Sequence, residues 1–265
     1  MFFSVCRNIC RDAIYCVSTC FHKCLFLLII SVLFIPISSS AQTQESPFFP
    51  FCSDAPTVTD HEGNKYRTVQ IGSQCWMAEN LRCKTSPTDK TWLFNPNFSA
   101  SQPQYAAYYA TSTINRYGML YNWAAALDLS SHHSNARPAG KKVRGICPEG
   151  WHLPDNEDWS LLFNTLGGHQ VSGEVMKAPT QQWQPHLIIQ KGNNMGFDAE
   201  PAGSYTENGS QNAGFQATFW SSDNFNRDQA WCCIVYDYKN EGYNYLDYKC
   251  YGHSVRCVRD EEIRR

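Results

Sequence analysis

Eight of the chain's thirteen cysteines follow residue 41, and they restrict its possible folds more than any other feature. They are Cys52, Cys75, Cys83, Cys147, Cys232, Cys233, Cys250 and Cys257. An even set of thiols behind an export signal reads as a disulfide framework, because bridges persist only in oxidising compartments. Metal binding is the competing use. No Cys-x-x-Cys occurs after residue 41, and His132-His133 has no ligand-like spacing to a thiol, which disfavours zinc.

The export signal rests on the order of its parts. Lys23 precedes an apolar run from Leu25 to Ile35, Pro36 breaks the run, and Ser38-Ser39-Ser40-Ala41 offers small residues for cleavage before Gln42. That is the order of a secretory signal peptide. A membrane anchor is disfavoured, because a span needs about 20 apolar residues. Residues 1–22 form a long leader with most of the remaining cysteines, consistent with a misplaced start codon, and are set apart from the fold. Removing 41 of the 265 residues leaves 224 and moves the net charge from −2 to −4. The mature chain has no Lys/Arg cluster, so nucleic acid is a poor partner.

The C-terminal run Gln229–Cys250 reads as a hairpin. Three-residue hairpin loops place Gly in the left-handed position, which fits Asn240-Glu241-Gly242. That register sets Lys239 opposite Tyr243 and Cys232 opposite Cys250. One face then carries Cys232, Ile234, Tyr236, Tyr238, Leu246 and Tyr248; the other carries Asp237, Lys239, Asp247 and Lys249. A one-residue slip mixes the two sets. A Cys232–Cys250 bridge follows. Cys75 with Cys83 is expected as a local pair. Cys147 with Cys257 would close a loop of roughly a hundred residues, worth up to about 4.7 kcal/mol in the chain-entropy account. Cys52 with Cys233 remains by elimination.

The rest of the chain divides as follows. Residues 42–57 are a polar, Pro-containing tether with an apolar patch, Phe48-Phe49-Pro50-Phe51. Val58 to Gly72 alternates around an Asp60-to-Asn64 turn and predicts an opening hairpin. Ser86–Asn115 is rich in Ser, Thr, Pro and Tyr and predicts loops; Ser130–Lys142 is polar and predicted exposed. Tyr117–Leu127 fits either a short helix or a buried strand. Asp155–Leu166 predicts the main helix: Asp155 caps, Asp158 sits three on, and Trp159, Leu162, Phe163 and Leu166 share a face. Gly167 and Gly168 stop it. One turn of helix is expected in Ser172–Lys177, and strands with long polar loops from Gly192 to Asp260. One helix beside many short strands is an α+β pattern.

Seven segments together resemble one family. They are Asp60–Tyr66, Gln74–Arg82, Tyr117–Trp123, Cys147–Pro154, Asp158-Trp159, Phe219–Ser222 and Ser254–Asp260. In this order they are similar to the Fibrobacter succinogenes major paralogous domain, over residues 58–260, with 261–265 as a tail. That family occurs in bacterial secreted and surface proteins. More distantly, the Leu153-Pro154-capped helix and the Val255–Arg259 segment look like the formylglycine-generating enzyme fold, a relative of the C-type-lectin-like fold. The resemblance implies a single irregular, disulfide-braced α+β domain. Cys75, Cys83, Cys232, Cys233 and Cys250 depart from the family's usual residues. No segment matches that enzyme's catalytic cysteines in context, so its activity is not carried over.

Chemical motifs are sparse. Vicinal Cys232-Cys233 invites redox or copper chemistry, but its neighbours Ala230, Trp231, Ile234 and Val235 supply no charge to activate a thiol. Asp155 to Asp158 reads as helix capping before calcium binding. Glu200-Pro201-Ala202 only partly echoes the sugar-site motif of C-type lectins. Glu174, Asp198 and Glu200 are available carboxylates with no spacing that brings two together. Of the abundant aromatics, Trp76, Trp123, Trp151, Trp159 and Trp220 are expected in the core. Tyr243 and Tyr245 are the candidate ligand surface, with packing under a loop an equal alternative. No cofactor, metal or catalytic residue is assigned. The expected role is a secreted, periplasmic or cell-surface module for recognition or adhesion, with an extracellular glycan or protein as partner. The alternatives are an extracellular enzyme on polysaccharide or protein and a structural subunit of a surface assembly. Two carboxylates, or a histidine with a carboxylate, gathered in a pocket would favour the enzyme; a flat face of tyrosine-bearing loops would favour binding.

Overall fold

The computed structural model describes residues 51–88, 105–107, 113–129, 142–184 and 195–260, all within one compact unit, Ser46–Arg265. The segment read from sequence as an export signal, the Phe48-Phe49-Pro50 patch, His132-His133 and residues 261–265 lie outside the described residues. In chain order the first elements are β1 (Thr57–Thr59), β2 (Lys65–Ile71), β3 (Gln74–Met77), β4 (Tyr105–Ala107), α1 (Ile114–Tyr117), β5 (Met119–Tyr121) and α2 (Trp123–Ala126). Then follow β6 (Trp151–His152), α3 (Asn156–Thr165), α4 (His169–Met176), β7 (Ser204–Thr206) and β8 (Gly209–Gln211). The last are β9 (Gln216–Asn224), β10 (Gln229–Tyr236), β11 (Gly242–Tyr248) and β12 (Val258–Arg259). The fold is α+β, with antiparallel strand pairing within every sheet.

Local chemistry explains the opening hairpin. The Asp60 carboxylate accepts from the backbone N–H groups of Glu62 and Asn64 at 3.0 and 2.9 Å and from the Tyr66 hydroxyl at 2.7 Å. Those bonds fix the turn, and Val58 pairs with Tyr66. The predicted main helix is present as α3, with a full capping box between Asp155 and Asp158. Gly167 and Gly168 adopt φ near +100° and end it. α4 is two turns long rather than the single expected turn. Tyr117–Leu127 satisfies both of its readings: the strand β5 leads into the helical turn α2, capped by Asn122 accepting from the Ala125 N–H. The loops expected in Ser86–Asn115 contain a strand, β4, paired with β5.

A five-stranded sheet runs in the order β1-β2-β3-β12-β6, so the C-terminal strand closes the gap between the N-terminal hairpins and β6. Two bridges flank that closure. Cys147 joins Cys257 with Cα atoms 5.9 Å apart, and Cys52 joins Cys75 at 5.8 Å. The pairings Cys75–Cys83 and Cys52–Cys233 are therefore corrected. The chain after Cys75 runs on instead of doubling back: the Leu81 N–H bonds the Val255 carbonyl and the Met119 N–H bonds the Leu81 carbonyl. Cys83 is carried against the Tyr121 hydroxyl, 3.7 Å away. Cys233 packs with Trp76, Trp159 and Phe219, in a different core cluster from Cys52.

The second sheet, β11-β10-β9, overturns the expected hairpin register. Cys232 pairs with Tyr245 and Val235 with Gly242, so Tyr236–Glu241 forms the loop and Cys250 falls beyond the end of β11. No Cys232–Cys250 bridge forms. β10 is the central strand and is covered on both sides, with Cys232 in one core cluster and Cys233 in the other. Alternation therefore carries no register signal there. Helix packing chooses the register instead. The α4 backbone approaches the loop so closely that a Cβ on Gly173 would lie 2.1 Å from the Glu241 carbonyl oxygen. Lys249, expected on the polar face, is buried, with Nζ donating to the Asn226 carbonyl at 2.8 Å and lying over the Trp123 ring.

Gly173→Ala is expected to destabilise the domain by about 1–3 kcal/mol through forced separation of α4 and the loop, although alanine is intrinsically the better helix former by about 1 kcal/mol. A urea titration measures it. A stabilised variant would contradict the close approach.

The core itself is aromatic. Trp76 and Trp159 lie 4.9 Å apart, with Phe197 edge-on to both and to Phe219. All five tryptophans expected in the core are buried.

Candidate functional site

Two surfaces bear on the expectations from sequence. The first is the end of the β10–β11 hairpin. Lys239 Nζ sits 4.9 Å from the Tyr243 ring centre, 5.5 Å from Tyr236 and 5.6 Å from Tyr238. The Tyr236 and Tyr238 rings are 5.3 Å apart. Register places Tyr243 opposite Ile234 and Tyr245 opposite Cys232, both on one face of the sheet. Tyr245 and Tyr238 are half exposed, at 50% and 49%, while Tyr243 is partly buried. Burial, then the neighbouring Tyr238 and Tyr245, push the Tyr236 hydroxyl up to about 12. The result is a continuous tyrosine surface around one ammonium group.

Buried polar contacts hold that surface from beneath. Lys177, at the end of α4, donates to the Lys239 and Asp237 carbonyls at 2.6 and 3.3 Å. The Glu174 N–H bonds the Asn240 carbonyl, and His169 Nδ1 lies 3.0 Å from the Gly242 carbonyl oxygen. Burial lowers the Lys177 ammonium to about 8. The loop is thereby fixed from below by α4, leaving little ordering cost for a ligand to meet. Farther along the same face of β11, Asp247 Oδ2 lies 3.0 Å from Nε2 of His253, a fully buried ring packed on Trp220.

The second surface is a cleft of about 480 Å³ beside β6 and α3. His152 lies between two carboxylates, Nε2 at 3.1 Å from Asp158 and Nδ1 at 2.7 Å from Asp260. Lys142 Nζ reaches both Asp158 oxygens at 2.9 Å and Asp155 at 3.0 Å. Burial alone would raise the Asp158 carboxyl. The bonds from His152, the Asp155 N–H and Lys142 outweigh it and hold the group below the usual carboxylate range. Nε2 faces the buried Asp158, which also closes the α3 capping box, and Nδ1 faces the half-exposed Asp260.

Among the described residues no cysteine has a thiol held below its ordinary pKa. Cys83, Cys232, Cys233 and Cys250 are unbridged among the described residues, and burial pushes all four thiols above their ordinary value. Redox chemistry needs the opposite shift.

A sequence model of the Fibrobacter succinogenes major domain matches residues 69–259. The chain belongs to the Fibrobacter succinogenes major domain family. Comparison with curated proteins and with solved structures finds no match. Within this family domain the matched span begins in β2 and ends in β12, so it covers the whole three-stranded sheet, both disulfide-bonded cysteines of the long loop and the tyrosine hairpin.

Of the site residues named from sequence, Tyr243 and Tyr245 share one face, and the structure adds Tyr236, Tyr238 and Lys239 to them. The contact of His152 with Asp260 had no local sequence signal, since 108 positions separate the two. Glu174 stands apart from Asp198 and Glu200, which share a third cavity with Glu79.

Proposed function

We propose that this chain is an exported, non-catalytic recognition or adhesion module, displaying the hairpin tyrosines on a C-type-lectin-like scaffold. The carrying observation is the cluster of Tyr236, Tyr238 and Tyr243 around Lys239, with Tyr245 next along the same face of β11, held on a loop braced by Lys177. Tyrosine supplies large amphipathic contact area at small entropic cost, which suits a face for an extracellular glycan or protein. Two disulfides support an oxidising location. No helix among the described residues is long and apolar enough to cross a membrane.

The extracellular-enzyme reading draws on the His152 cleft, which does gather a histidine with carboxylates. The saturation of both ring nitrogens favours a structural role there.

The test is a glycan and surface-protein array probed with the mature domain and with Tyr243→Ala/Tyr245→Ala. Aromatic anchors at binding hot spots are worth about 2 kcal/mol or more, so the double variant should bind at least about 30-fold more weakly. Its unfolding midpoint should stay close to that of the parent. Undiminished binding by the variant would remove the tyrosine face from the function.

A further inference from the structure

A third cavity, of about 430 Å³, lies between the β2–β3 hairpin, α1 and the chain following α4. Three guanidinium groups and three carboxyl groups line it, and most of them are already committed. Arg67 bonds Glu79 at 3.5 Å and Asp198 at 3.2 Å. Arg256 is buried and donates to Asn80 Oδ1 at 2.7 Å, to the Asp198 carbonyl at 2.8 Å and to the Met77 and Phe197 carbonyls. Asp198 takes φ +51°, a left-handed backbone that aspartate tolerates better than most residues.

Two groups remain available on the cavity wall. Arg116 is exposed at the end of α1 and has no ion pair or side-chain hydrogen bond among the described residues. Glu200 has a single side-chain contact, Thr180 Oγ1 at 3.3 Å from Oε2. Burial raises the Glu200 carboxyl, against the pull of Arg116 and Arg256. Either oxygen of the Glu200 carboxyl can accept from a hydroxyl group. No group of three ligating side chains converges on a metal position among the described residues. Arg116, which has no side-chain partner among the described residues, is the group on the wall that selects an anion. A planar guanidinium matches a carboxylate in two parallel bonds, while Glu200, Thr180 and Asn115 match hydroxyl groups.

We propose that this cavity binds a small carboxylate bearing hydroxyl groups, of the uronic-acid class, with Arg116 holding the carboxylate and Glu200 and Thr180 the hydroxyls. The site uses none of the hairpin tyrosines and stands independently of the recognition face.

Calorimetric titration of the mature protein with sodium galacturonate, galactose and inorganic phosphate tests it. Galacturonate should bind at least about tenfold more tightly than either comparison compound, the gap of one charge-assisted contact. Arg116→Gln, at an exposed position, should weaken galacturonate about tenfold or more while leaving the thermal midpoint in place. Tyr243→Ala/Tyr245→Ala should leave galacturonate binding unchanged. Equal affinity for galactose would overturn the role of Arg116, and equal affinity for phosphate would overturn the hydroxyl contacts. No heat of binding up to about 20 mM galacturonate, where a Kd near 1 mM would saturate, would overturn the site.

Discussion

Removal of the bridge between Cys147 and Cys257 is expected to cost about 4–5 kcal/mol of stability, from the loop entropy that the bridge withholds from the unfolded chain. The two cysteines are 110 positions apart, so the closed loop holds α3, α4 and the whole three-stranded sheet. Domains of this size are stable by only about 5–15 kcal/mol, so the loss takes about a quarter or more of the total. Cys147→Ser/Cys257→Ser, compared with the oxidised parent in urea, should show a much lower midpoint. The bridge also sits where β12 enters between β3 and β6. Its removal should therefore loosen the five-stranded sheet first, visible as faster amide exchange at Val258 and Trp76. A loss under about 1 kcal/mol would mean that the unfolded chain gains no freedom from its absence.

Arg256→Ala carries the second large effect, about 3–5 kcal/mol, because four acceptors lose the buried donor they share. The guanidinium lies 4.6 Å from the Phe197 ring centre and 5.5 Å from Phe219, and it serves Asn80 and three backbone carbonyls. Burial lowers it to about 9, so the cation is retained at a desolvation cost that its hydrogen bonds offset. Truncation leaves those acceptors unpaired in the core, at about 1–3 kcal/mol for each one that water fails to reach. Arg256→Lys should recover only part of the loss, since an ammonium has three donors and no plane to stack on the rings. Full recovery by lysine would show that charge alone matters there, and urea midpoints of both variants decide the point.

Both effects fall in places the sequence marked unevenly. Val255–Arg259 drew notice for its resemblance to a family motif, and its arginine proves to be the donor joining β3, Phe197 and Asp198. Trp159 and its helix were legible for a local reason. The Asp155–Asp158 box and the apolar spacing both act within a few residues, and helix formation follows from them. The Asp60 turn was legible in the same way. The hairpin register was not. The Asn240-Glu241-Gly242 signal is satisfied by a longer loop once α4 packs on it, and Gly242 turns out to be needed at the first position of β11, where a Cβ would meet the Phe163 ring at 2.9 Å.

What the residues by themselves determined is the α+β class, the main helix, the opening hairpin, the buried tryptophans and membership of the family. Which cysteines meet, which register β10 takes and which side chains line the cavities were decided only by the assembled structure. The reason is range. Caps, turns and periodicity are energies between residues close in the chain, whereas Cys52 meets Cys75, His152 meets Asp260 and Arg116 approaches Glu200 only after sheets and helices have packed. A central strand covered on both faces, as β10 is, shows no alternation from which those meetings might be read.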